Sequence, residues 1–555
     1  MVSESIPYED SVPVPERTVG GLLRRSARVA AQQLAIVEPR GRSLTYAELL
    51  NESERAGAAL RGVGLEPGQH VLAMLDTHAD NVATWLGANL AGVVWVPVNT
   101  AFKGVVLRDI IEHSRARVMI IEDKWLDRLS QIAHCLTRLE TVIVRGGSHD
   151  GGAPGGLARL EFAELQAVEP VDLGERAVSD ISTIIYTSGT EGAAKGVLVP
   201  HGHVYQCSFS HVRPDDTPPV VMVVLQIFHS AGLMTAVFQA IRTHGTAVLH
   251  GEFSATRFWD DVRRHGCTTV LLAGPMAAIL LRQPPSPDDR NHALQTAIMF
   301  PCIPETAEFA ARFGVLVGAG YGQSELPAPL LAPPGEGRPG LCGAPTPMFE
   351  IQLVDGSDLP VPPGEVGELL VRPREPWLMN LGYFDAPVAT VAAWRNFWWH
   401  TGDLLRLHES GQYEFVDRRK DVIRRRGENV SSLEVERILL QHEQVSEAAV
   451  VAVASEVAED EIKAVITLSE GAEFDPVAIL RHVYDRLPYF MVPRFIQVVE
   501  QLPKTQTLRV QKQALRVSDG TMQVWDCEVH GFRITRHELV EPAGSRPLAS
   551  GLEAM

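Results

Sequence analysis

Through the first 320 residues, short apolar runs rich in β-branched side chains alternate with stretches whose apolar positions recur at helical spacing. The runs cover 69–75, 117–121, 141–144, 220–225, 246–249 and 268–273, and the helical patterns cover Tyr46 to Leu60 and Asp80 to Leu90. Runs of this length read as strands buried on both faces, and strands separated by helices favour parallel βαβ units. Ile181 to Tyr186 is a further strand-like run, and it opens directly into a Gly/Thr-rich segment.

Gly/Pro-rich breaks fall at 146–156, 333–347 and 360–364. The first is a surface loop within an α/β layer; the later two precede short strands at Glu350 to Val354 and Glu368 to Val371, so a β-rich subdomain is expected to begin near Gly340. After Asp417 the texture becomes compact: helix over 433–440, strands over 447–453 and 463–468, helix over 477–487. The expected architecture is α/β, with a large N-terminal domain over 18–419 (parallel α/β layers plus the β-rich subdomain) and a small C-terminal α+β domain over 420–516. An extension covers 517–555, and its tail from Glu541 is expected to be disordered. The boundary lies in the charged run from Arg418 to Arg426, which read alone is also compatible with a solvated linker.

Composition narrows the function classes. With 555 residues, 45% apolar and 21% charged, the chain is sized for more than one hydrophobic core. No segment approaches the roughly 18 unbroken apolar residues of a membrane helix. The first residues lack the basic and apolar regions of a signal peptide, so a cytoplasmic address is expected. A net charge of −18 argues against broad nucleic-acid binding. The six cysteines, Cys135, Cys207, Cys267, Cys302, Cys342 and Cys527, show no CxxC pairing and suggest neither a zinc site nor a disulfide framework.

The segment from Tyr186 to Gly196 carries the most chemistry. Gly189 and Gly192 let the backbone approach an anion, the hydroxyls of Thr187, Ser188 and Thr190 can donate to phosphate oxygens, and Lys195 supplies a point charge. It leaves a strand end, where open α/β sheets bind ligands. Its spacing is not that of a P-loop, because Lys195 is preceded by Ala194 and followed by Gly196. Composition alone leaves a flexible turn open as the alternative.

Four later segments follow in a fixed order: Tyr321-Gly322-Gln323-Ser324-Glu325, Trp399-His400-Thr401-Gly402-Asp403, Asp417-Arg418-Arg419-Lys420-Asp421 and Gly427-Glu428-Asn429. Together with the Gly/Thr segment they resemble the adenylate-forming (ANL) superfamily of acyl-CoA synthetases, peptide-synthetase adenylation domains and luciferases. The resemblance runs from about Thr18 to Arg516. Phe253 to Asp261 and the late Trp525-Asp526 are most similar to acyl-CoA ligases of the crotonobetaine/carnitine-CoA ligase type. It implies ATP, Mg²⁺ and CoA as cofactors, a small-molecule acid as substrate, and a mobile small domain.

By this resemblance, Thr187 to Lys195 hold the leaving phosphates, Glu325 ligates Mg²⁺, Tyr321 lies along adenine, Asp403 accepts from the ribose hydroxyls and Arg418 contacts ribose or phosphate. His229 corresponds to a histidine beside the acyl site, although a lone histidine in an apolar segment can equally be structural. Lys420 takes the hinge position, and Gly427, Glu428 and Asn429 face the site in the second half-reaction.

Three departures disturb the acyl end. Where the family's late motif ends in Gly-Lys, whose lysine reaches the α-phosphate and carboxylate, this chain has Leu508-Arg509; Lys504 or Lys512 could substitute by a register shift. A planar guanidinium is not equivalent to an ammonium at a crowded transition state. Met299 and Phe300 stand where a Gly/Ala-rich loop is usual, implying a smaller or altered pocket, and Glu191 and Ala194 replace the usual threonine and proline. Three readings remain open: an acid–CoA ligase in which Arg509 does the lysine's work; a diazotase that activates nitrite with ATP and passes it to an aromatic amine; and a nucleotide-binding homologue that has lost catalysis.

Overall fold

The computed structural model describes residues 12–147, 152, 154–187, 195–208, 217–419, 421, 423–425, 428–454, 460–505, 510–516, 524–535 and 538–542. Every apolar run of the first half is a buried strand. Seven strands form one sheet in the order Ala158–Glu161, Thr141–Arg145, Val118–Glu122, His70–Met74, Val94–Pro97, Ile181–Thr187 and Lys195–Pro200. All its pairings are parallel except the last, in which Thr187 lies opposite Lys195.

The helix Tyr46–Gly62 starts where Thr45 and Glu48 form a reciprocal capping box, satisfying two orphan amides. The helix Ala79–Ala91 ends at Gly92, whose φ of 73° suits the left-handed cap. The two helices cross closely because both contact residues are glycine: a Cβ on Gly87 would lie 2.4 Å from Ser53 O, and one on Gly57 2.6 Å from Gly87 O. The fully buried Trp85 and Trp95 anchor this core. Burial of each large apolar side chain contributes about 1.5–3 kcal/mol.

The second sheet has thirteen strands and two characters. Leu34–Val37, Thr246–Leu249, Val220–Val223, Thr269–Ala273, Thr296–Phe300 and Leu316–Gln323 run parallel. From Leu326–Ala332 onward the neighbours are antiparallel, through Leu341–Pro345, Tyr413–Arg418, Trp399–Leu407, Val366–Pro373 and Phe349–Val354. The β-rich part is thus continuous with the parallel layer and starts ahead of Gly340. Leu316–Gln323, carrying Tyr321, is the strand at which the sheet changes character, the kind of switch point where ligands bind.

The smaller unit has a four-stranded sheet ordered Val445–Ala454, Asp460–Leu468, Phe495–Val498 and Val524–Asp526, packed by the helices Ser432–Leu439 and Pro476–Tyr484. Asp475 starts the second helix by accepting from Val477 N and Ala478 N, with Pro476 at the first helical position. Residues read as a terminal extension belong to this fold: Trp525, Cys527, Phe532 and Ile534 lie in its core. Glu541, at the start of the tail expected to be disordered, pairs with Arg481 at 2.6 Å; positions from 543 on lie outside the described residues.

Among the described residues no helix is long and apolar enough to cross a membrane, no cluster of three or more His, Cys, Asp or Glu could hold a metal alone, and all six cysteines are free.

Candidate functional site

The antiparallel pairing of Ile181–Thr187 with Lys195–Pro200 sets Thr187 and Lys195 side by side. Thr187 Oγ1 donates to Lys195 O at 3.4 Å. Ser188, Gly189, Thr190 and Gly192, together with Glu191 and Ala194, lie outside the described residues. Lys195 is exposed, with its Nζ 5.1 Å from the centre of the Tyr383 ring.

Asp403 is the most heavily partnered acid of the switch point. Strand register sets it opposite Arg418, and its Oδ2 accepts from Tyr321 Oη at 2.7 Å and from Gln323 Nε2 at 2.8 Å. Gln323 also donates to Thr401 O at 2.9 Å, so one amide fixes both the acid and the bend before it. Burial, then the neighbouring Asp403 carboxylate, hold the Tyr321 hydroxyl well above the usual phenol range, keeping it a donor. Arg418 Nε stands 3.6 Å from Asp403 Oδ1 and is a buried donor with no hydrogen-bond partner. An orphaned guanidinium nitrogen beside a carboxylate whose Oδ1 is not claimed by Tyr321 or Gln323 suits a ligand that both donates and carries negative charge, such as a ribose phosphate.

Glu325 lies in the turn between Leu316–Gln323 and Leu326–Ala332. Its carbonyl accepts from Asn380 Nδ2 at 2.7 Å and Asn380 N at 3.2 Å, while its Oε1 accepts from Tyr383 Oη at 3.1 Å. Burial raises its pKa, opposed by the Tyr383 hydrogen bond and by Arg418. A half-buried carboxylate held as an acceptor by a neutral hydroxyl fits a hard divalent cation, whose remaining positions would go to phosphate oxygens and water.

His229 sits at the mouth of the π-helical turn Ala231–Val237. Its ring lies 4.6 Å from that of Phe228, its Nε2 has no partner, and burial drives its pKa to about 4. It is therefore a neutral imidazole. Gly232 is required by the tight start of this turn, since a Cβ there would stand 2.4 Å from Gln226 O. Irregular helical turns of this kind recur at ligand sites.

The two bulky residues expected to crowd the acyl end separate, because strand side chains alternate in direction. Met299 is fully buried in the core beside Met222 and Val270, and does not narrow a pocket. Phe300 lies against Gly320, where a Cβ would meet its Cε1 at 2.7 Å. Of the two, only Phe300 lies against the strand that carries Tyr321, on its Gly320 face.

Lys420, Gly427 and Arg509 lie outside the described residues. Backbone register sets Glu428 opposite Arg425, and Asn429 opposite Arg424, in the hairpin Ile423–Arg425 and Glu428–Val430. Both lysines that could replace the family's late lysine are engaged. Lys504 pairs with Glu447, whereas Lys512 Nζ bonds Glu436 Oε1 at 2.7 Å and Ser432 Oγ at 2.5 Å. Ser432 donates from N and Oγ to Asp417 Oδ2 at 2.7 and 2.8 Å, tying the first helix of the smaller unit to the last strand of the larger one.

Sequence reasoning gave no role to Gln323, Asn380, Tyr383, Asp417 or Ser432. Gln323 stood inside a motif already quoted, but Tyr383 meets Glu325 across 58 positions, from a turn with no periodic signature.

The AMP-binding enzyme family matches residues 23–384, and its C-terminal domain matches residues 434–508. The crotonobetaine/carnitine–CoA ligase of Salmonella arizonae is 28% identical over 496 residues, spanning 85% of this chain and 93% of the relative. That of Proteus mirabilis is 28% identical over 498 residues, spanning 86% and 93%. The benzoate CoA ligase of Burkholderia xenovorans superposes with a TM-score of 0.78 at 26% identity, over 90% of this chain and 100% of that one. The anthranilate CoA ligase AuaEII, in complex with anthranoyl-AMP, superposes with a TM-score of 0.79 at 25% identity, over 91% and 97%. The two-sheet large unit, the smaller unit after it and the family match over most of the chain agree: the protein belongs to the AMP-binding enzymes, the adenylate-forming superfamily of acyl-CoA ligases.

Proposed function

We propose that this chain is an ATP- and Mg²⁺-dependent acid–CoA ligase, which activates a carboxylic acid as acyl-AMP with release of pyrophosphate and then transfers the acyl group to CoA. The observation that carries the reading is the linked set Tyr321, Gln323, Asp403, Arg418 and Glu325 at the sheet's switch point, which suits a ribose phosphate and a cation side by side. A cytoplasmic reaction is part of this reading; no helix among the described residues is long and apolar enough to cross a membrane.

The carboxylate must approach the α-phosphate of ATP, so the protein has to screen like charges. Thr187, Lys195 and the residues 188–194 between them hold the β- and γ-phosphates. Asp403 accepts from the ribose hydroxyls, with Tyr321 and Gln323 holding its carboxylate in place, and Arg418 takes ribose or phosphate oxygen. Glu325 would hold Mg²⁺, which supplies Lewis-acid neutralisation of the phosphate charge. Neutral His229 borders the acid without adding a competing positive charge.

Arg509 is assigned the charge that the family's late lysine supplies. The engagement of Lys504 and Lys512 supports this, because neither has a free ammonium in this pose. Lys420 is the hinge about which the smaller unit turns between half-reactions, and Gly427, Glu428 and Asn429 face the site in the second.

The test is AMP formation with mass-resolved products, across a carboxylic-acid panel with and without CoA and with nitrite plus aromatic amines. Acyl-CoA products are expected. AMP only with nitrite, accompanied by a diazo product, would replace the acid by nitrite as substrate, and no ATP turnover in any arm would leave a binding protein. Arg509→Lys adds a direct check on the late position: a fall in acyl adenylation is expected if Arg509 is a specialised group, and a rise would mean that a better catalytic residue had been lost.

A further inference from the structure

The turn following Met379 has no assigned role, yet it is bound on three sides to the candidate site. Leu381 N donates to Leu198 O, Leu198 N to Gly382 O, and Phe384 N to Gly196 O, at 2.9, 2.9 and 2.7 Å, stitching the turn to the strand that begins at Lys195. Asn380 holds the Glu325 carbonyl through both its backbone and side-chain nitrogens. Its Oδ1 accepts from Gly382 N at 2.7 Å, and Thr390 Oγ1 accepts from Tyr383 N at 2.9 Å. Gly382 has a φ of 105°, and a Cβ there would lie 2.3 Å from Thr390 Cγ2, so no other residue fits this bend without displacing it.

Besides Asn380, the turn delivers Tyr383, which reaches the Glu325 carboxylate itself. Its hydroxyl is 3.1 Å from Glu325 Oε1, its ring centre is 5.1 Å from Lys195 Nζ, and the ring rests 5.7 Å from that of Trp399. A phenol can serve both neighbours at once: O–H is a directional donor to a carboxylate, and the π-face attracts an ammonium.

We infer that Tyr383 is a positioning residue that sets the acid side chain proposed to hold the divalent cation and the lysine proposed to hold the phosphates at a fixed separation. This rests on the nucleotide reading above. Fixing Oε1 leaves Oε2 of Glu325 presented to a cation in one orientation, and the ring gives the exposed Lys195 ammonium a partner beside the strand end. Partners of metal-ligating groups typically change metal affinity 10- to 100-fold when removed.

The two contacts can be separated. Tyr383→Phe removes the hydroxyl and keeps the ring; Tyr383→Leu removes both. ATP binding is measured by titration calorimetry over a range of Mg²⁺ concentrations, alongside thermal melting of each variant without ligand. Tyr383→Phe is expected to raise the Mg²⁺ concentration for half-maximal ATP binding about tenfold or more, with affinity at saturating Mg²⁺ close to that of the wild type. Tyr383→Leu is expected to lose a further ~3- to 30-fold at saturating Mg²⁺. A merely structural tyrosine would lower the melting temperature without moving the Mg²⁺ dependence. An unchanged Mg²⁺ dependence in Tyr383→Phe, with ATP still bound, overturns this inference alone; a wild-type chain that binds no ATP at any Mg²⁺ concentration overturns the proposed function and this inference with it.

Discussion

The larger and smaller units use their charged side chains in opposite ways. Around the switch point of the large sheet, Asp403, Glu325 and Arg418 are held by neutral donors or left with unused hydrogen-bonding capacity, so charge is prepared for something not belonging to the protein. In the smaller unit Lys504, Lys512, Arg494 and Arg425 are spent on Glu447, Glu436, Asp526 and Glu461. Charge left with unused hydrogen-bonding capacity, more than abundance of charge, marks out the proposed nucleotide end. The basic run near residue 420 is conspicuous in sequence, but it is Arg418, at its start, that stands beside Asp403 with a buried, unpartnered Nε.

Replacing prepared charge should break activity while leaving the fold, and replacing spent charge should do the reverse. The largest effect is predicted for Glu325→Gln, about 10²- to 10³-fold in ATP-dependent adenylation, with melting nearly unchanged. Equal pyrophosphate exchange in variant and wild type would remove Glu325 from the chemistry. Asp403→Ala is predicted to weaken ATP roughly 10- to 100-fold, because it deletes a charged acceptor and releases Tyr321 and Gln323. Measured ATP affinity within twofold of wild type would contradict it.

On the other side of the comparison, Lys512→Met leaves the buried Glu436 carboxyl, already raised by desolvation, without its ammonium. A loss of ~3 kcal/mol from the stability of the smaller unit is expected, readable by denaturant melting, with ATP affinity retained. Asp417→Ala removes the acceptor of Ser432 N and Oγ, and a smaller cost of about 1–3 kcal/mol is expected. Amide exchange in the helix Ser432–Leu439 should quicken; exchange identical to wild type would show that the tie contributes nothing to docking.

The smallest effect concerns pH. Burial holds His201 near 4, His203 near 3 and His229 near 4, all below the ordinary 6.5. The unfolded chain then binds more protons than the folded one between those values, so stability is complete above 6.5 and falls as pH drops toward 4. Each histidine steepens the slope by up to about 1.4 kcal/mol per pH unit. His203, whose two ring nitrogens have no hydrogen-bond partner, is the cleanest probe: His203→Leu should flatten the slope by up to one proton, and a slope that does not change would refute the assignment.

Much of this arrangement was legible in sequence because its signals are local. Strands buried on both faces write themselves as apolar runs, and Tyr321, Glu325, Asp403 and Arg418 lie in short motifs whose order is informative. What escaped depends on direction or on distance along the chain. Motif matching could not say that Met299 turns into the core while its neighbour Phe300 turns toward Gly320, because both occupy one strand. Tyr383 and Asn380 reach Glu325 from a Gly/Pro-punctuated turn that resembles any surface connection. Val524–Asp526 is too short a strand to announce itself, although Trp525 anchors it in a core assembled from residues far earlier.

That last strand constrains how the protein is made. Translation delivers residues 423–498 before 524–540, so until the last strand arrives the edge of Phe495–Val498 that it covers would lack its partner. An open edge beside an apolar core is a template for pairing with other nascent chains. Large-unit folding can proceed meanwhile, since its latest strand, Tyr413–Arg418, has already emerged. Expression should therefore be more sensitive to conditions that slow synthesis across residues 499–540 than to the same delay earlier, and a co-translational chaperone would find its substrate in the smaller unit.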